Sequence, residues 1–145
     1  MSEAARPQSY ERLLEIGTGD GYQTTILNTL ATTVVTVEVV DELRERAAVL
    51  LTNLGYNNVT ALAANDELGA PSLGPYDVIL ISAAAPAIPP PLIKQLVIGG
   101  RIVISVSSYW SQELTVATRT IDDLAQHSLG DCRFVPSLGP YGFEP

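Results

Sequence analysis

Cysteine, histidine, methionine and tryptophan each occur once in the 145 residues, and 8 basic residues face 16 acidic ones. Each scarcity closes a class of function. A single thiol, Cys132, allows no internal disulfide and no cysteine-built metal cluster. A formal charge of -8 opposes a phosphate backbone, so nucleic acid is not an expected partner. No apolar run approaches the ~20 residues that a membrane-spanning helix needs. Residues Met1 to Pro7 lack the apolar stretch of a signal peptide. The expectation is a soluble cytoplasmic protein with no metal and no membrane partner. With 46% hydrophobic residues, the chain is long enough to form one domain over 1–145 around a real core.

What the chain does have is order. Leu13 to Ile16 is a short apolar run, and Gly17, Gly19 and Gly21 follow at alternate positions before a helix marked by Ile26, Leu27 and Leu30. Val34 to Val37 predicts a second strand ending at Glu38. Asp41 can cap the next helix, where Leu43, Ala47, Leu50, Leu51 and Leu54 fall at helical spacing and Gly55 supplies the stop. Glu42 and Arg46 can pair on its wet side. Val59 to Ala63 predicts a third strand, and Tyr76 to Ile81 a fourth that is apolar on both faces, as in a central parallel strand. Pro89-Pro90-Pro91 leads into a short helix with Leu92, Ile93, Leu96 and Val97, closed by Gly99-Gly100 and followed by a strand over Arg101 to Val106. Glu113 to Ile121 and about Ala125 to Ser128 then read as strands joined through Asp122-Asp123, and Cys132 to Val135 as a last one. Alternating β and α units followed by strands predict a doubly wound α/β sheet, mostly parallel, with an antiparallel C-terminal hairpin.

A strand, a glycine turn and a helix N-terminus bring bare backbone against a nucleotide-like ligand. A dinucleotide motif would read G-x-G-x-x-G, whereas this loop reads G-x-G-x-G and holds Asp20, which would repel a pyrophosphate. S-adenosylmethionine carries an ammonium and a sulfonium and no phosphate, so spacing and charge both favour it. Glu38, at the end of a continuous apolar strand, suits the two ribose hydroxyls, a role that an NAD enzyme would use equally. Asp66, after the third strand, could approach an adenine amino group or be an ordinary loop acid.

The run Leu14-Glu15-Ile16-Gly17-Thr18-Gly19-Asp20-Gly21-Tyr22-Gln23-Thr24 resembles the first motif of the protein-L-isoaspartate (D-aspartate) O-methyltransferases. Val37-Glu38 resembles the second-strand motif. Tyr76 to Pro86, with its Ala83-Ala84-Ala85-Pro86 ending, Gly99-Gly100-Arg101, Gln112-Glu113-Leu114 and Arg133-Phe134-Val135-Pro136 are similar to later segments in the same order. The resemblance runs from about Leu13 onward. It implies a Rossmann-like class I methyltransferase sheet and methyl transfer from S-adenosylmethionine to the free carboxylate of isoaspartyl residues in damaged proteins. It also implies that Gly17, Thr18, Gly19, Asp20 and Gly21 lie along the methionine part, Glu38 on the ribose, Val39 on the adenine face and Asp66 near the adenine. A carboxylate acceptor with a pKa near ~4 is already ionised at pH 7, so positioning suffices and no general base is needed. No role falls to His127, expected at the surface, or to Cys132, expected in the core, and the catalytic residues stay unassigned.

Several positions depart from the family pattern. Asp20 stands where a small residue is usual, Asn65 replaces a glycine, Ser105 stands where proline is frequent and Ser107 where glycine is frequent. The family's sizeable segment before the first motif finds no counterpart in Met1 to Arg12. On that reading half the acceptor site is absent, cofactor binding is weak, activity is low, and an uncovered apolar face favours self-association. Three readings therefore stay open: an active methyltransferase, a non-catalytic S-adenosylmethionine-binding module, and a piece of a longer gene product.

Overall fold

Apolar residues in β-branched runs build the centre of the molecule. In the computed structural model, which describes residues 1–108 and 110–144, seven strands form one sheet. They are β1 (Arg12–Ile16), β2 (Thr33–Glu38), β3 (Val59–Ala63), β4 (Tyr76–Ala85), β5 (Leu96–Ser107), β6 (Gln112–Arg119) and β7 (Leu124–Asp131). Their spatial order is β3-β2-β1-β4-β5-β6-β7. The first five are mutually parallel, while β6 runs antiparallel to β5 and β7 antiparallel to β6. The predicted doubly wound sheet with its antiparallel end is therefore present.

The helices are α1 (Ser2–Ala5), α2 (Tyr22–Leu30), α3 (Asp41–Asn53) and the single turn α4 (Pro90–Ile93), with a 3-10 turn at Pro71–Leu73. Side chains alternate across a strand, and β1 shows the result. Leu13 joins Ala5, Leu27, Val34, Val78 and Leu80 in one cluster, while Leu14 joins Val35, Ile79, Leu92 and Ile102 in the other. Both faces of the central strands are covered, as a parallel sheet requires. Helix α3 ends at a full Schellman motif: Gly55 has φ +77, its N–H donates to Thr52 O at 3.0 Å, and Tyr56 N–H donates to Leu51 O at 3.0 Å. At its other end the cap position falls on Val40, with Asp41 the first helical residue, paired to Arg44 at 2.8 Å. Glu42 and Arg46 approach to 3.8 Å on the exposed side.

Three expectations are corrected. Asp41 does not cap α3, because Val40 holds the cap position and no side chain there bonds the first-turn amides. Leu96 and Val97 belong to β5, not to the preceding helix, because Leu96 pairs with Tyr76 and Gln95 O accepts the Tyr76 N–H at 2.8 Å. Gly99-Gly100 then lies in a bulge of β5 opposite Asp77 and does not close a helix. Cys132 to Val135 is not a strand. The Gln112 side chain occupies the backbone of Phe134, accepting from its N–H at 2.8 Å and donating to its carbonyl at 3.3 Å. Val135 O and Ser137 N bond Ala84 in an isolated bridge, so the segment crosses the end of β4. Cys132 is half-buried, and its thiol lies 3.2 Å from Ser105 Oγ. His127 lies exposed on β7.

Among the described residues no helix is long and apolar enough to cross a membrane.

Candidate functional site

Strands β2 and β3 build outward from β1 on one side and β5 from β4 on the other. Open α/β sheets bind ligands in the crevice at such a reversal, outside the carboxyl ends of the strands. The glycine loop sits there, at the end of β1. Gly17, Gly19 and Gly21 have φ of +95, +55 and +86, a region that other residues enter only with strain. Gly17 N–H still donates to Val37 O at 2.8 Å, so the ladder to β2 persists one residue beyond the strand. Gly21 N–H donates to Thr18 O at 3.0 Å and closes the turn, and a Cβ on Gly21 would just touch Ala47 of α3 at 3.4 Å. Nothing lies within 4 Å of the place a Cβ would take on Gly19, so that face of the loop is open.

Among the described residues Glu38 is the one charged side chain joined directly to the backbone of Gly17 to Gly21. It is buried, with 6% of its surface exposed. Its Oε2 accepts from Gly19 N–H at 2.8 Å and its Oε1 from Val40 N–H at 3.0 Å. Each carboxylate oxygen has two lone pairs, so both retain capacity for a further donor. The two amides fix the carboxyl in place before any ligand arrives.

The remaining expected residues divide by position. Thr18 turns inward and is buried, its hydroxyl 2.6 Å from that of Thr36, so only its backbone faces the loop's concave side. Asp20 is exposed and its Oδ1 accepts the Tyr22 N–H at 3.0 Å, satisfying an amide of the first turn of α2. Val39 follows Glu38 directly and leaves 79% of its surface free, an apolar platform at the rim. Asp66 is exposed and lines a cleft of about 570 Å³ with Glu67, Pro71, Lys94 and Tyr141; no residue of the glycine loop lines that cleft. The structure thus brings Gly17 to Gly21, Glu38 and Val39 together and gives Asp66 a separate lining.

One further acidic side chain of the region, Glu15, carries no role that its sequence position predicts. Glu15 is fully buried one residue before the end of β1. Its Oε2 accepts from the Thr24 hydroxyl at 2.5 Å and the Thr36 hydroxyl at 2.7 Å, while its Oε1 has no partner among the described residues. Burial pushes its carboxyl up to about 7; the Glu38 charge adds to the rise and the two hydroxyls oppose it. The available signal was a carboxyl inside the apolar run Leu13-Leu14-Glu15-Ile16, on the same face as Leu13.

These features fit a cationic nucleoside better than a phosphate. The loop offers open backbone, but the nearest fixed side chains are carboxyls, and no lysine or arginine reaches Gly17 to Gly21 by hydrogen bond or ion pair among the described residues.

The comparisons with known proteins agree. The family model for protein-L-isoaspartate(D-aspartate) O-methyltransferase matches residues 3–140, which carries the likeness back beyond Leu13 into the N-terminal segment. A protein-L-isoaspartate O-methyltransferase 2 of Pelobacter propionicus is 43% identical over 145 residues, covering 99% of this chain and 64% of that protein. The Koribacter versatilis protein-L-isoaspartate O-methyltransferase is 42% identical, covering 100% of this chain and 65% of that protein. The chain thus spans somewhat less than two thirds of these relatives. A solved protein-L-isoaspartate O-methyltransferase superposes with a TM-score of 0.90 at 26% identity, over 97% of this chain and 46% of that one.

Proposed function

The chain belongs to the protein-L-isoaspartate(D-aspartate) O-methyltransferase family, and from that premise we propose that it transfers a methyl group from S-adenosylmethionine to the carboxylate of isoaspartyl residues in proteins. The observation that carries the proposal is the Glu38 carboxyl, buried and pinned by the Gly19 and Val40 amides at the reversal of the sheet. A carboxylate so placed accepts hydroxyl donors from a ribose without reorganising.

The bound donor would supply an electrophilic methyl on a positively charged sulfur. The chain's own residues have the task of holding and orienting. Backbone of Gly17, Thr18, Gly19, Asp20 and Gly21 would line the amino-acid part, Glu38 the ribose, Val39 the adenine face and Asp66 the exocyclic amine. That methyl would pass to the acceptor oxygen, with the electron pair of the broken carbon–sulfur bond kept by sulfur, while the chain's residues hold the two in line. Because the acceptor is ionised at neutral pH, no proton has to be removed, and an exposed His127 on β7 is no obstacle.

The test is titration calorimetry with S-adenosylmethionine and S-adenosylhomocysteine, followed by radiolabelled methyl transfer to an isoaspartyl peptide and its aspartyl twin. Binding with transfer to the isoaspartyl peptide alone is expected. Binding without transfer would leave a cofactor-binding module, and no binding would remove the cofactor assignment. Glu38→Ala should weaken cofactor affinity at least about tenfold, the loss of a charge-assisted hydrogen bond or more; an unchanged Kd would remove Glu38 from the ribose.

A further inference from the structure

Two adjacent residues of the glycine loop each end on a carboxyl. Gly19 reaches Glu38 directly, through its N–H at 2.8 Å. Thr18 reaches Glu15 through an intermediary. The Thr36 hydroxyl spends its single hydrogen on Glu15 Oε2, so in the 2.6 Å contact between threonines Thr18 must be the donor. The relay therefore has one direction, from the loop through Thr36 to Glu15, and Thr24 adds a second hydroxyl to the same oxygen from α2.

Glu15 is short of positive charge. From β2 it faces Thr36 and, at the strand end, Glu38; from β4 its register partner is Leu80; from α2 it faces Thr24. The one charged group among these has the same sign, and Asp20 in the loop is exposed and turned to the Tyr22 amide. The second oxygen of Glu15 is inaccessible and has no partner among the described residues. A buried carboxyl in that state is costly unless it is neutral or a cation comes near. A glutamine would have given the two threonines the same acceptor without the charge.

We propose that Glu15 is a specificity-determining residue that favours a cationic sulfonium donor over its neutral thioether product. Glu15 releases its proton to solvent when the cation enters the crevice beside β1 and takes one up again once methyl transfer has removed the charge. The relay through Thr36 to Thr18 passes the change to the loop, so the hold on the spent ligand weakens. The raised carboxyl of Glu15 puts this exchange in the neutral range. The proposal rests on the S-adenosylmethionine reading given above.

Calorimetry on the full chain at several pH values between 6 and 8.5, in pairs of buffers with different ionisation heats, tests it. The ratio of S-adenosylmethionine to S-adenosylhomocysteine affinity should rise about fivefold from pH 6 to pH 8, for a carboxyl near 7 whose titration the cation moves down by about one pH unit. Proton release should be greater for S-adenosylmethionine. Glu15→Gln should flatten the ratio and remove the excess release; an unchanged ratio in that variant, or a flat ratio in the wild type, would overturn the proposal. If Glu15→Gln fails to fold, a carboxyl ¹³C titration of the wild type decides. A buried glutamate titrating lower with S-adenosylmethionine than with S-adenosylhomocysteine supports the proposal, and identical titrations overturn it. Failure of both ligands to bind would instead overturn the cofactor reading beneath it.

Discussion

One glutamate precedes strand β1 and another lies near its end, and the two have opposite fates. Just before the strand, Glu11 receives both arms of the Arg101 guanidinium, at 3.0 Å on Oε1 and 2.9 Å on Oε2, and the Gln8 N–H at 2.8 Å. Burial raises its carboxyl, but the bonds from Arg101 and Gln8 and the Arg101 charge outweigh it and hold Glu11 below the usual range. Four residues on, Glu15 has two hydroxyls, a like charge nearby and no cation, and burial prevails. At the base of the sheet charge is cancelled and the structure is anchored. At the carboxyl end, charge is left uncancelled beside the crevice. The carboxyls at the two ends of this segment thus differ in the partners supplied to them, not in burial alone.

The largest break in this contrast comes from making the base resemble the top. Arg101→Leu strands Glu11 and removes donors to Ala5 O and Arg6 O. A loss of about 3–4 kcal/mol is expected in denaturant unfolding at pH 7, in the range for breaking a largely buried pair from one side. Next comes pH. Glu15 has its folded value raised above 4.5 to about 7, so its contribution is fully present below about 4.5 and is lost as pH rises through about 7. Glu11 has its folded value lowered, so its contribution is present above about 4.5 and is lost as pH falls through the folded value. Unfolding midpoints between pH 4.5 and 8 should therefore carry a falling limb on the order of 2–3 kcal/mol from Glu15, and Glu15→Gln should erase it. A limb that survives in that variant belongs to another group. The smallest change sharpens the contrast. Thr36→Val takes one hydroxyl from Glu15, which should cost about 1 kcal/mol at neutral pH and move the falling limb to higher pH, since that hydrogen bond lowers the Glu15 value. A limb at unchanged pH would detach Thr36 from the relay.

Strands β1 to β4 were readable because each is a mostly apolar or β-branched run bounded by turn residues, and Val59–Ala63 matches to the residue. The likeness to a family made the glycine loop and Glu38 readable as one site. What escaped depends on long-range partners. Cys132 to Val135 has the composition of a strand, but Gln112 and Ala84 take its backbone groups, and neither is visible from the local pattern. Leu96 and Val97 continue an apolar helix-like spacing, yet Tyr76 claims Leu96 for the sheet. Glu15 stood in view inside a motif, and its relay shows only once Thr24 and Thr36 meet it from two other elements.

The Arg101 clamp also sets an order of events. Its bonds to Glu11, Arg6 and Ala5 span 90, 95 and 96 residues of chain. During synthesis at roughly 5–20 residues per second, Ala5, Arg6 and Glu11 therefore wait on the order of 5–20 seconds for Arg101 to follow them out of the ribosome. Over that interval Ala5, fully buried in the finished molecule, has no β5 to dock against. Ala5, Arg6 and Glu11 are thus made 90 to 96 residues ahead of the side chain that secures them, so this clamp records when the sheet has been completed through its fifth strand.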